Sequence, residues 1–261
     1  MTVTKPPGVY TWYRFLWNAL DWIYPPYCGG CNQLGSRWCP ECQKNTRTLG
    51  KNICIRCGDY LETPGLCPKC RRDLPGYQAL RSWGIFQGPL REAIHRLKYQ
   101  KDIALGEALS YPLLQLLDQL HWPIDLIVPV PLSKERLQAR GYNQAGLLAY
   151  PLALARRIPY DAHALTRVRK TRSQVGLSVE ERLQNVAGAF QSTSSRVKDK
   201  TLLVIDDVAT TGATLQACAR ALLHSGARQV YGLTLARALS VADHNEVETT
   251  PNAATHIIRG G

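Results

Sequence analysis

The fold of this chain is decided by Leu202–Leu215, LLVIDDVATTGATL. Its aliphatic residues predict a fully buried strand over Thr201–Ile205, and Asp206 and Asp207 stand at the carboxyl end of that strand. A turn of small residues then leads into a helix predicted over Gly212–Ser225. In open parallel α/β sheets, ligands bind at the carboxyl ends of the strands. The segment therefore predicts an α/β fold with a binding site after this strand.

The turn in this segment has the composition of a phosphate-binding loop. The first N–H groups of a helix lack backbone partners, and the helix dipole favours negative charge there. Gly212 allows a ligand to approach the backbone closely, and Thr210, Thr211 and Thr214 add hydroxyl donors. The carboxylates before the turn suit the 2- and 3-hydroxyls of a ribose whose 5-phosphate lies in the loop. The Gly-Lys-Ser/Thr ending of the other common mononucleotide loop is absent from this segment.

The order of these features resembles the phosphoribosyl-pyrophosphate (PRPP) signature of type I phosphoribosyltransferases. The resemblance covers the hydrophobic strand, the Asp-Asp pair and the run Thr-Thr-Gly-Ala-Thr-Leu. It implies the type I phosphoribosyltransferase fold, a parallel sheet flanked by helices, and a site for PRPP with Mg²⁺. The implied PRPP-binding residues are Asp206, Asp207, Ala209, Thr210, Thr211, Gly212, Ala213 and Thr214. The signature reports binding rather than turnover, because some relatives keep it as regulators, and the catalytic residues are unknown at this point.

The rest of the C-terminal part alternates strands with helices, as a parallel α/β sheet requires. The predicted strands are Leu80–Gln87, Asp125–Pro131, Ala164–Val168 and Gln229–Ala236, and the predicted helices are Leu90–Tyr99, Ile103–Leu120 and Asn143–Ile158. We therefore expect a phosphoribosyltransferase-like domain over residues 80–238. Residues 239–261 lack a periodic apolar pattern, which predicts a poorly ordered tail.

Eight of the nine cysteines lie between Cys28 and Cys70, in four pairs with two residues between the members of each pair. Such pairs form tight knuckles, and two knuckles complete a tetrahedral shell of four thiolates that suits zinc. The predicted ligands of two zinc ions are Cys28, Cys31, Cys39, Cys42, Cys54, Cys57, Cys67 and Cys70. Because all eight are ligands, neither ion keeps an open position, and both are structural. We expect this double zinc ribbon over residues 28–73.

The sequence leaves other interpretations of the cysteines open. A metal-free disulfide framework, or a redox role for one pair, would use the same residues. Consecutive pairs would give two successive ribbons, whereas alternating pairs would give a cross-brace. The seven and nine residues between successive pairs favour consecutive ribbons, because they suit short hairpins. The ninth cysteine, Cys218, is expected to be a small core residue on the helix after the phosphate loop.

Residues 10–24 predict a short amphipathic helix within an N-terminal segment, residues 1–27. The apolar stripe at helical spacing consists of Trp12, Phe15, Leu16, Leu20 and Ile23, and it is widened by Tyr13, Trp17 and Trp22. We expect this stripe to pack on the ribbons or the domain that follow. The alternative is a helix that lies on a membrane surface, as a peripheral contact, or docks on a partner.

The bulk composition limits the classes of protein that fit. Lys and Arg number 32 against 20 Asp and Glu, giving a net charge of +12 and a pI near 9.4, which favours phosphate-rich partners. No apolar run reaches the roughly 20 residues that cross a bilayer. The first residues also lack the pattern of a secretory signal. We therefore expect a cytoplasmic protein, in which reduced thiols bind metal rather than form disulfides.

Two further segments, together with the cysteines, resemble the ComF family, in which N-terminal zinc ribbons precede this fold. In Val128–Gln144 the matching residues are Arg136, Arg140, Gly141, Tyr142, Asn143 and Gln144, and in Arg169–Phe190 they are Thr171, Gln174, Leu177, Arg182 and Asn185. With Leu97–Tyr99, the resemblance covers nearly the whole chain to residue 238. It implies a role in DNA uptake during natural transformation, with single-stranded DNA and the DNA-uptake helicase or channel as partners.

The first of these segments starts at the end of a predicted strand, near where the pyrophosphate of PRPP would lie. Arg136 and Arg140 stand four residues apart, so they can share a helical face, and their guanidinium groups suit phosphate oxygens. A solvated or nucleic-acid-facing position is the alternative for either arginine. The second segment falls where this fold places a mobile hood over PRPP. Its candidate contacts are Lys170, Arg172 and Gln174.

Three functions are compatible with these residues. A phosphoribosyltransferase of nucleotide metabolism would displace pyrophosphate from ribose C1, with Mg²⁺ and the arginines stabilising the leaving group. A DNA-uptake factor would bind single-stranded DNA or the translocation machinery and hold PRPP as a ligand. A non-catalytic adaptor would be assembled by its zinc ribbons. We see no recognisable acceptor site in the sequence, so we favour the DNA-uptake factor and leave turnover open.

Overall fold

The computed structural model describes residues 8–169, 188–192 and 195–239. At the centre of the described chain lies a parallel sheet of four strands in the order β1-β6-β5-β2. These strands are β1 (Leu80–Ile85), β2 (Leu126–Pro129), β5 (Thr201–Ala209) and β6 (Gln229–Arg237). Two shorter strands, β3 (Thr166–Arg167) and β4 (Phe190–Gln191), form a separate antiparallel pair.

Eight α-helices belong to the described residues. They are α1 (Gly8–Ile23), α2 (Pro40–Lys44), α3 (Pro68–Arg72), α4 (Gly88–Tyr99), α5 (Leu105–Leu120), α6 (Lys134–Arg140), α7 (Gln144–Arg156) and α8 (Ala213–His224). A single 3₁₀ turn over Ser195–Val197 precedes β5 in the same part of the chain. Helices α4 and α5 connect β1 to β2, and α8 connects β5 to β6, so parallel strands are joined by helical crossovers.

Helices cover both faces of the sheet, and β5 contributes to the core on each face. Leu203 and Ile205 join the apolar cluster of α4, α5 and α7, whereas Leu202 and Val204 join the cluster that contains α8. Each fully buried side chain of this size stabilises the fold by about 1.5–3 kcal/mol. An uninterrupted aliphatic run is what a central parallel strand needs, because neither face meets water.

The fold class predicted from the sequence is confirmed, and the predicted strands and helices are present with small shifts at their ends. The main difference is the length of β5, which stays paired with β6 as far as Ala209. Asp206 and Asp207 therefore lie within the paired strand rather than after it. The strand expected over Ala164–Val168 exists as β3, but it pairs with β4 instead of joining the central sheet.

The two halves of the cysteine-rich segment pack on different neighbours. In the first half, the rings of Trp38 and Trp83 lie 6.3 Å apart, and Trp38 packs on the cluster around α4 and α5. Gly29 is so close to α5 that a Cβ at this residue would lie 2.5 Å from Leu105. The four cysteines of the second half are buried in the cluster that contains α8. The first half therefore packs on the side of the sheet that carries α4 and α5, and the second half packs on the side that carries α8.

The helix predicted at the N-terminus is present as α1, but the face predicted to pack is wrong. Trp12 and Leu16 are 68% and 61% exposed, and the other residues of the predicted stripe are exposed too. The packed face carries Tyr10 together with Tyr13 and Trp17, which were predicted only to widen the stripe, and the Tyr13 ring lies edge-on against a tyrosine of α7. On the side of α5 and α7 that faces α1, Glu107 pairs with Arg14 and the Tyr150 ring meets Tyr13, so this surface favours side chains that carry polar atoms. None of the described helices combines the length and the apolar composition that a bilayer-spanning segment needs.

Candidate functional site

The turn between β5 and α8 has the geometry of an anion-binding loop. Gly212 caps α8 with a φ of +74°, in the left-handed region that favours glycine. A Cβ at Gly212 would lie 3.0 Å from the hydroxyl oxygen of Tyr77, so glycine also provides the space. The N–H of Ala213 donates to the hydroxyl of Thr211 at 3.3 Å. The first backbone N–H groups of α8 therefore gather at the carboxyl end of β5.

The two aspartates of the loop have different surroundings. Asp207 is buried, with 4% of its surface exposed, and forms an ion pair with Lys98 near the end of α4. Its other carboxylate oxygen accepts a hydrogen bond from the side-chain amide of Gln144 at 3.4 Å. Asp206 is more exposed, and its Oδ1 accepts a hydrogen bond from the N–H of Asp207 at 2.9 Å. Asp207 is thus held by contacts within the protein, whereas Asp206 is more accessible to a ligand.

The titration of the two aspartates follows from these contacts. Burial and the charge of Asp207 raise the pKa of Asp206 well above its usual value. Burial also acts to raise the pKa of Asp207, but Lys98 and the hydrogen bonds to this carboxylate outweigh burial and lower that pKa. Burial acts to lower the pKa of Lys98, and Asp207 reverses that effect, so the lysine pKa is raised. The ion pair of Lys98 and Asp207 is therefore charged on both sides, and Asp206 holds its proton to a higher pH than an ordinary aspartate does.

The segment after β2 forms another wall of the site, and α6 within it carries both predicted pyrophosphate ligands. Every residue of α6 is at least partly exposed. The guanidinium group of Arg140 donates to Gln144 and lies 5.6 Å from the centre of the Tyr99 ring. Because Gln144 also contacts Asp207, one side chain links Arg140 to the carboxylate pair.

Arg136 lies on the exposed side of α6, near Arg167 of β3. Burial is the main cause that lowers the pKa of Arg167, and the charge of Arg136 lowers it further, whereas Asp206 acts in the opposite direction. The guanidinium group of Arg167 stacks over the ring of Phe190, 5.4 Å from its centre. Arg167 thus lies in the electrostatic neighbourhood of Asp206, and Arg136 in that of Arg167. Arg167 had no role in the sequence prediction.

Part of the predicted site lies outside the described residues. This part consists of the hood candidates Lys170, Arg172 and Gln174, the family-pattern residues Thr171, Leu177, Arg182 and Asn185, and the tail from residue 240 onward. Their roles stay predictions.

Lys98 and Gln144, the two side chains that hold Asp207, belong to the segments of the family resemblance, but the sequence assigns neither of them a role. Lys98 follows the buried Leu97 in the last turn of α4, and Gln144 begins α7. Two adjacent aspartates in a buried strand do signal that a cation must balance charge nearby. The sequence does not tell which cation does so, because α4 is distant from β5 along the chain.

The cysteines form two groups in the described part of the chain. One group is Cys28, Cys31, Cys39 and Cys42, and the other is Cys54, Cys57, Cys67 and Cys70. Within each group the four sulfur atoms lie within 4.8 Å of one another. A tetrahedral zinc ion with Zn–S bonds of about 2.3 Å needs sulfur atoms about 3.8 Å apart. One sulfur pair in each group lies 3.7 and 3.6 Å apart, respectively, so both donor sets fit zinc. The grouping is the consecutive one that the sequence favoured.

Backbone N–H groups stabilise a thiolate in each group. Burial acts to raise the pKa of Cys28, but hydrogen bonds from the N–H groups of Cys39, Cys31 and Gly30 outweigh burial and lower the pKa to about 6. At Cys54 burial is outweighed in the same way, and the pKa falls to about 7. Thiolates are the form in which cysteine binds a metal ion. Zinc, when bound, would cross-link each ribbon, and four thiolates would leave no coordination position for a water molecule.

Three bacterial proteins are among the known proteins that this chain resembles. The chain is 35% identical over 212 residues to DNA utilization protein YhgH of Escherichia coli K12, covering 77% of this chain and 90% of the relative. It is 33% identical over 209 residues to Competence protein F of Haemophilus influenzae Rd, with the same two shares, 77% and 90%. It is 28% identical over 229 residues to Competence protein ComFC of Bacillus subtilis 168, covering 85% of this chain and 89% of the relative.

Two family models match the parts of the chain described above. The model of the double zinc ribbon domain matches residues 19–75, and that of the phosphoribosyl transferase domain matches residues 139–250. The chain is therefore a protein of the phosphoribosyltransferase fold that carries a double zinc ribbon. With the relatives it aligns to over most of their length, it belongs to the ComF family. The family predicted from the sequence motifs is confirmed.

Proposed function

We propose that this chain binds PRPP with Mg²⁺ at the loop between β5 and α8 and acts in the uptake or utilisation of DNA. One observation carries the proposal: Asp206 stands beside a glycine-capped helix N-terminus, with the side chain of Arg167 nearby. The names of the relatives, DNA utilization protein and Competence protein, support the biological part.

Each part of PRPP has a matching group in this proposal. The 5-phosphate accepts hydrogen bonds from the backbone and hydroxyl groups of Ala209–Thr214. The ribose hydroxyls donate to Asp206, the more accessible of the two carboxylates. Arg136 and Arg140 bind the pyrophosphate, and Lys170, Arg172 and Gln174 are proposed as further contacts of PRPP. Mg²⁺, recruited chiefly by PRPP, neutralises charge on the pyrophosphate when it is bound.

The DNA part of the proposal rests on charge and on exposed aromatic rings. The net charge of +12 attracts phosphate backbones, and α1 exposes Trp12, Phe15 and Trp22. Proteins that bind single strands combine a basic surface with side chains on which bases stack. The proposed partners are single-stranded DNA and the helicase or channel that delivers it, and the proposed compartment is the cytoplasm.

Isothermal titration of the full-length protein with PRPP and Mg²⁺ tests the ligand. We expect wild-type protein to bind, and Asp206→Asn to bind at least about tenfold more weakly, because an amide offers the ribose hydroxyls one acceptor oxygen where a carboxyl group offers two. Asp199→Asn is the matched control, since it makes the same substitution just before the opposite end of β5. The proposal fails if wild-type protein does not bind PRPP, or if Asp206→Asn binds as tightly as the control.

The same substitution should not weaken the fold. Because the pKa of Asp206 is raised in the folded state, its ionisation opposes folding, and this loss of stability grows as pH rises above the ordinary value of 3.8. Asp206→Asn should therefore keep or raise the Tm near neutral pH, and its difference from wild type should shrink as pH falls toward about 4. Thermal denaturation across this pH range is the measurement. A lowered Tm near neutral pH would contradict the electrostatics described for the pair.

Three further assays address uptake, DNA and turnover. If the loop serves DNA uptake, Asp206→Asn should reduce transformation or DNA utilisation in cells, and normal levels would contradict that link.

Fluorescence anisotropy should show that the affinity for single-stranded DNA falls as the salt concentration rises, and an affinity independent of salt would contradict the role of the basic surface. Release of pyrophosphate from PRPP by wild-type protein, absent in Asp206→Asn, would instead identify an active phosphoribosyltransferase.

A further inference from the structure

The second cysteine group lies directly beside the phosphate loop. Lys69, between Cys67 and Cys70, donates a hydrogen bond from Nζ to the carbonyl oxygen of Thr211 at 2.8 Å. The start of α3 fixes the backbone of this lysine, since the Cys67 sulfur caps the helix by accepting a hydrogen bond from the N–H of Cys70 at 3.4 Å. The position of Lys69 therefore depends on the knuckle that zinc would close.

This hydrogen bond sets the direction of one peptide group in the loop. The C=O and N–H of a trans peptide point to opposite sides of the chain. While Lys69 holds the carbonyl of Thr211, the N–H of Gly212 points away from the ribbon. An N–H turned in this way at the start of α8 can serve an anion bound there.

A second contact ties the other knuckle of this ribbon to β6, the strand that pairs with β5 beside the loop. Arg237, the last residue of β6, is 1% exposed and donates to the carbonyl oxygen of Cys57 at 2.9 Å. Its guanidinium group also pairs with Asp59 at 3.1 Å. Arg237 lies in register with Ala209, the last residue of β5. The ribbon is thus connected to both the strand end and the loop that follows it.

The space between the ribbon and the loop is small. A cavity of about 30 Å³ lies between them, with room for about one water molecule. Its lining includes Cys57, Cys70, Tyr77, Thr211 and Gly212. Closely packed groups transmit displacement to one another. A displacement of the Cys67–Cys70 knuckle would therefore shift the loop between β5 and α8.

The first ribbon provides a matched contrast. The sequence Cys39–Cys42 reads Cys-Pro-Glu-Cys and Cys67–Cys70 reads Cys-Pro-Lys-Cys. Each begins a five-residue helix that its first cysteine caps. Glu41 thus takes the position that Lys69 has in the second ribbon, with the opposite charge. The first ribbon packs on the side of α4 and α5.

We propose that Lys69 is a positioning residue for the PRPP loop, and that zinc at Cys54, Cys57, Cys67 and Cys70 controls the affinity for PRPP through it. The inference rests on the proposed function, since it takes PRPP as the ligand of the loop. Lys69 acts by holding a backbone carbonyl rather than by touching the ligand. Zinc in the first ribbon has no corresponding effect.

Three variants of the full-length protein test this inference. Lys69→Met keeps the length of the side chain but removes the donor, Glu41→Met makes the same change in the first ribbon, and Lys69→Arg restores a cationic donor. Zinc content is measured by mass spectrometry, stability by thermal denaturation, and PRPP affinity by isothermal titration with Mg²⁺. We expect all three to keep both zinc ions and the wild-type Tm. PRPP affinity should fall about tenfold in Lys69→Met, stay within about twofold in Glu41→Met, and largely recover in Lys69→Arg.

Unchanged PRPP affinity in Lys69→Met would overturn the inference, and so would an equal loss in Glu41→Met. Loss of zinc from Lys69→Met would also overturn it, because the lysine would then act on the ribbon rather than on the loop. If wild-type protein does not bind PRPP, the proposed function itself fails, so the two failures are distinguishable.

Discussion

The two zinc ribbons share one local structure. In each ribbon the residue after the first knuckle has a left-handed backbone, with a φ of +60° at Asn32 and +68° at Gly58. The N–H of each of these residues donates to the carbonyl oxygen of the first cysteine at 2.9 Å. In each ribbon the third cysteine caps a short helix. The spacing and chemistry of the knuckles therefore determine the local fold in both copies.

The surroundings of the two ribbons differ. Cys31 of the first ribbon is exposed, whereas all four cysteines of the second are buried in the cluster that contains α8. In each ribbon an arginine donates to a cysteine carbonyl, Arg96 to Cys28 at 3.1 Å and Arg237 to Cys57 at 2.9 Å. The Arg96 side chain is 18% exposed and that of Arg237 is 1% exposed. A repeated zinc motif thus comes to border the candidate site through its neighbours, since its ligands are the same in both copies.

The largest expected difference follows from removing one ligand from each ribbon. Cys42→Ser and Cys70→Ser remove the last ligand of the first and the second ribbon, and both residues are buried. We expect each variant to retain about one zinc ion per chain. Only Cys70→Ser should weaken PRPP binding severely, by about a hundredfold or more, because it releases Lys69 together with the wall of the loop. Mass spectrometry gives the zinc content and isothermal titration gives the affinity.

Both cysteine variants must be compared at a temperature at which circular dichroism shows them folded. An equal loss of PRPP affinity in the two would mean that the ribbons act only as a common structural support. The two ribbons would then differ only in how deeply their cysteines are buried.

The local structure of the two ribbons can be predicted from the sequence, but the contacts that distinguish them cannot. The cysteine pairs and their consecutive grouping are local features, because residues close in the chain meet in a knuckle. The buried face of α4, with Leu90, Ile94 and Leu97, is predicted by apolar periodicity in the same way. In contrast, Lys69 and Thr211 are far apart in the chain, and the folded sheet is what brings them together.

In the phosphate loop, too, the local structure can be predicted from the sequence and the long-range contacts cannot. Its strand, turn and helix are predicted because each depends on adjacent residues. The difference between Asp206 and Asp207 is not predicted, because it comes from Lys98 and Gln144 on two other helices. The packed face of α1 is predicted wrongly for a related reason. An apolar stripe shows that a helix is amphipathic, but the surface that receives the helix decides which face packs.

A smaller difference is expected when the two arginines are replaced. Arg237→Met leaves the buried carbonyl of Cys57 without its donor and removes the partner of Asp59, so the free energy of unfolding should fall by about 3 kcal/mol. Arg96→Met removes the equivalent contact nearer the surface, where water can replace the donor, and about 1 kcal/mol is expected. Urea denaturation followed by fluorescence measures both. Equal losses would show that burial does not distinguish the two ribbons energetically.

The smallest expected difference lies at the left-handed position after each first knuckle, where Asn32 and Gly58 are equivalent. A Cβ at Gly58 would lie 2.4 Å from the carbonyl oxygen of Leu80, so Gly58→Asn must displace β1 or the ribbon. We expect a cost of about 2 kcal/mol in the free energy of unfolding. Asn32→Gly removes an exposed side chain that accepts one hydrogen bond from Arg96 at 3.1 Å, and a cost within about 0.5 kcal/mol is expected.

Comparing Gly58→Asn with Asn32→Gly separates the effect of the left-handed backbone from the effect of contact with Leu80. Asparagine enters the left-handed region more readily than most residues do, as Asn32 itself shows at a φ of +60°. The backbone at Gly58 should therefore tolerate asparagine, and the loss in Gly58→Asn should come mainly from the approach to Leu80. Urea denaturation of both variants measures the difference. If Gly58→Asn is as stable as Asn32→Gly, the second ribbon does not depend on close contact with β1. Asparagine would then be tolerated after the first knuckle of the second ribbon as it is in the first.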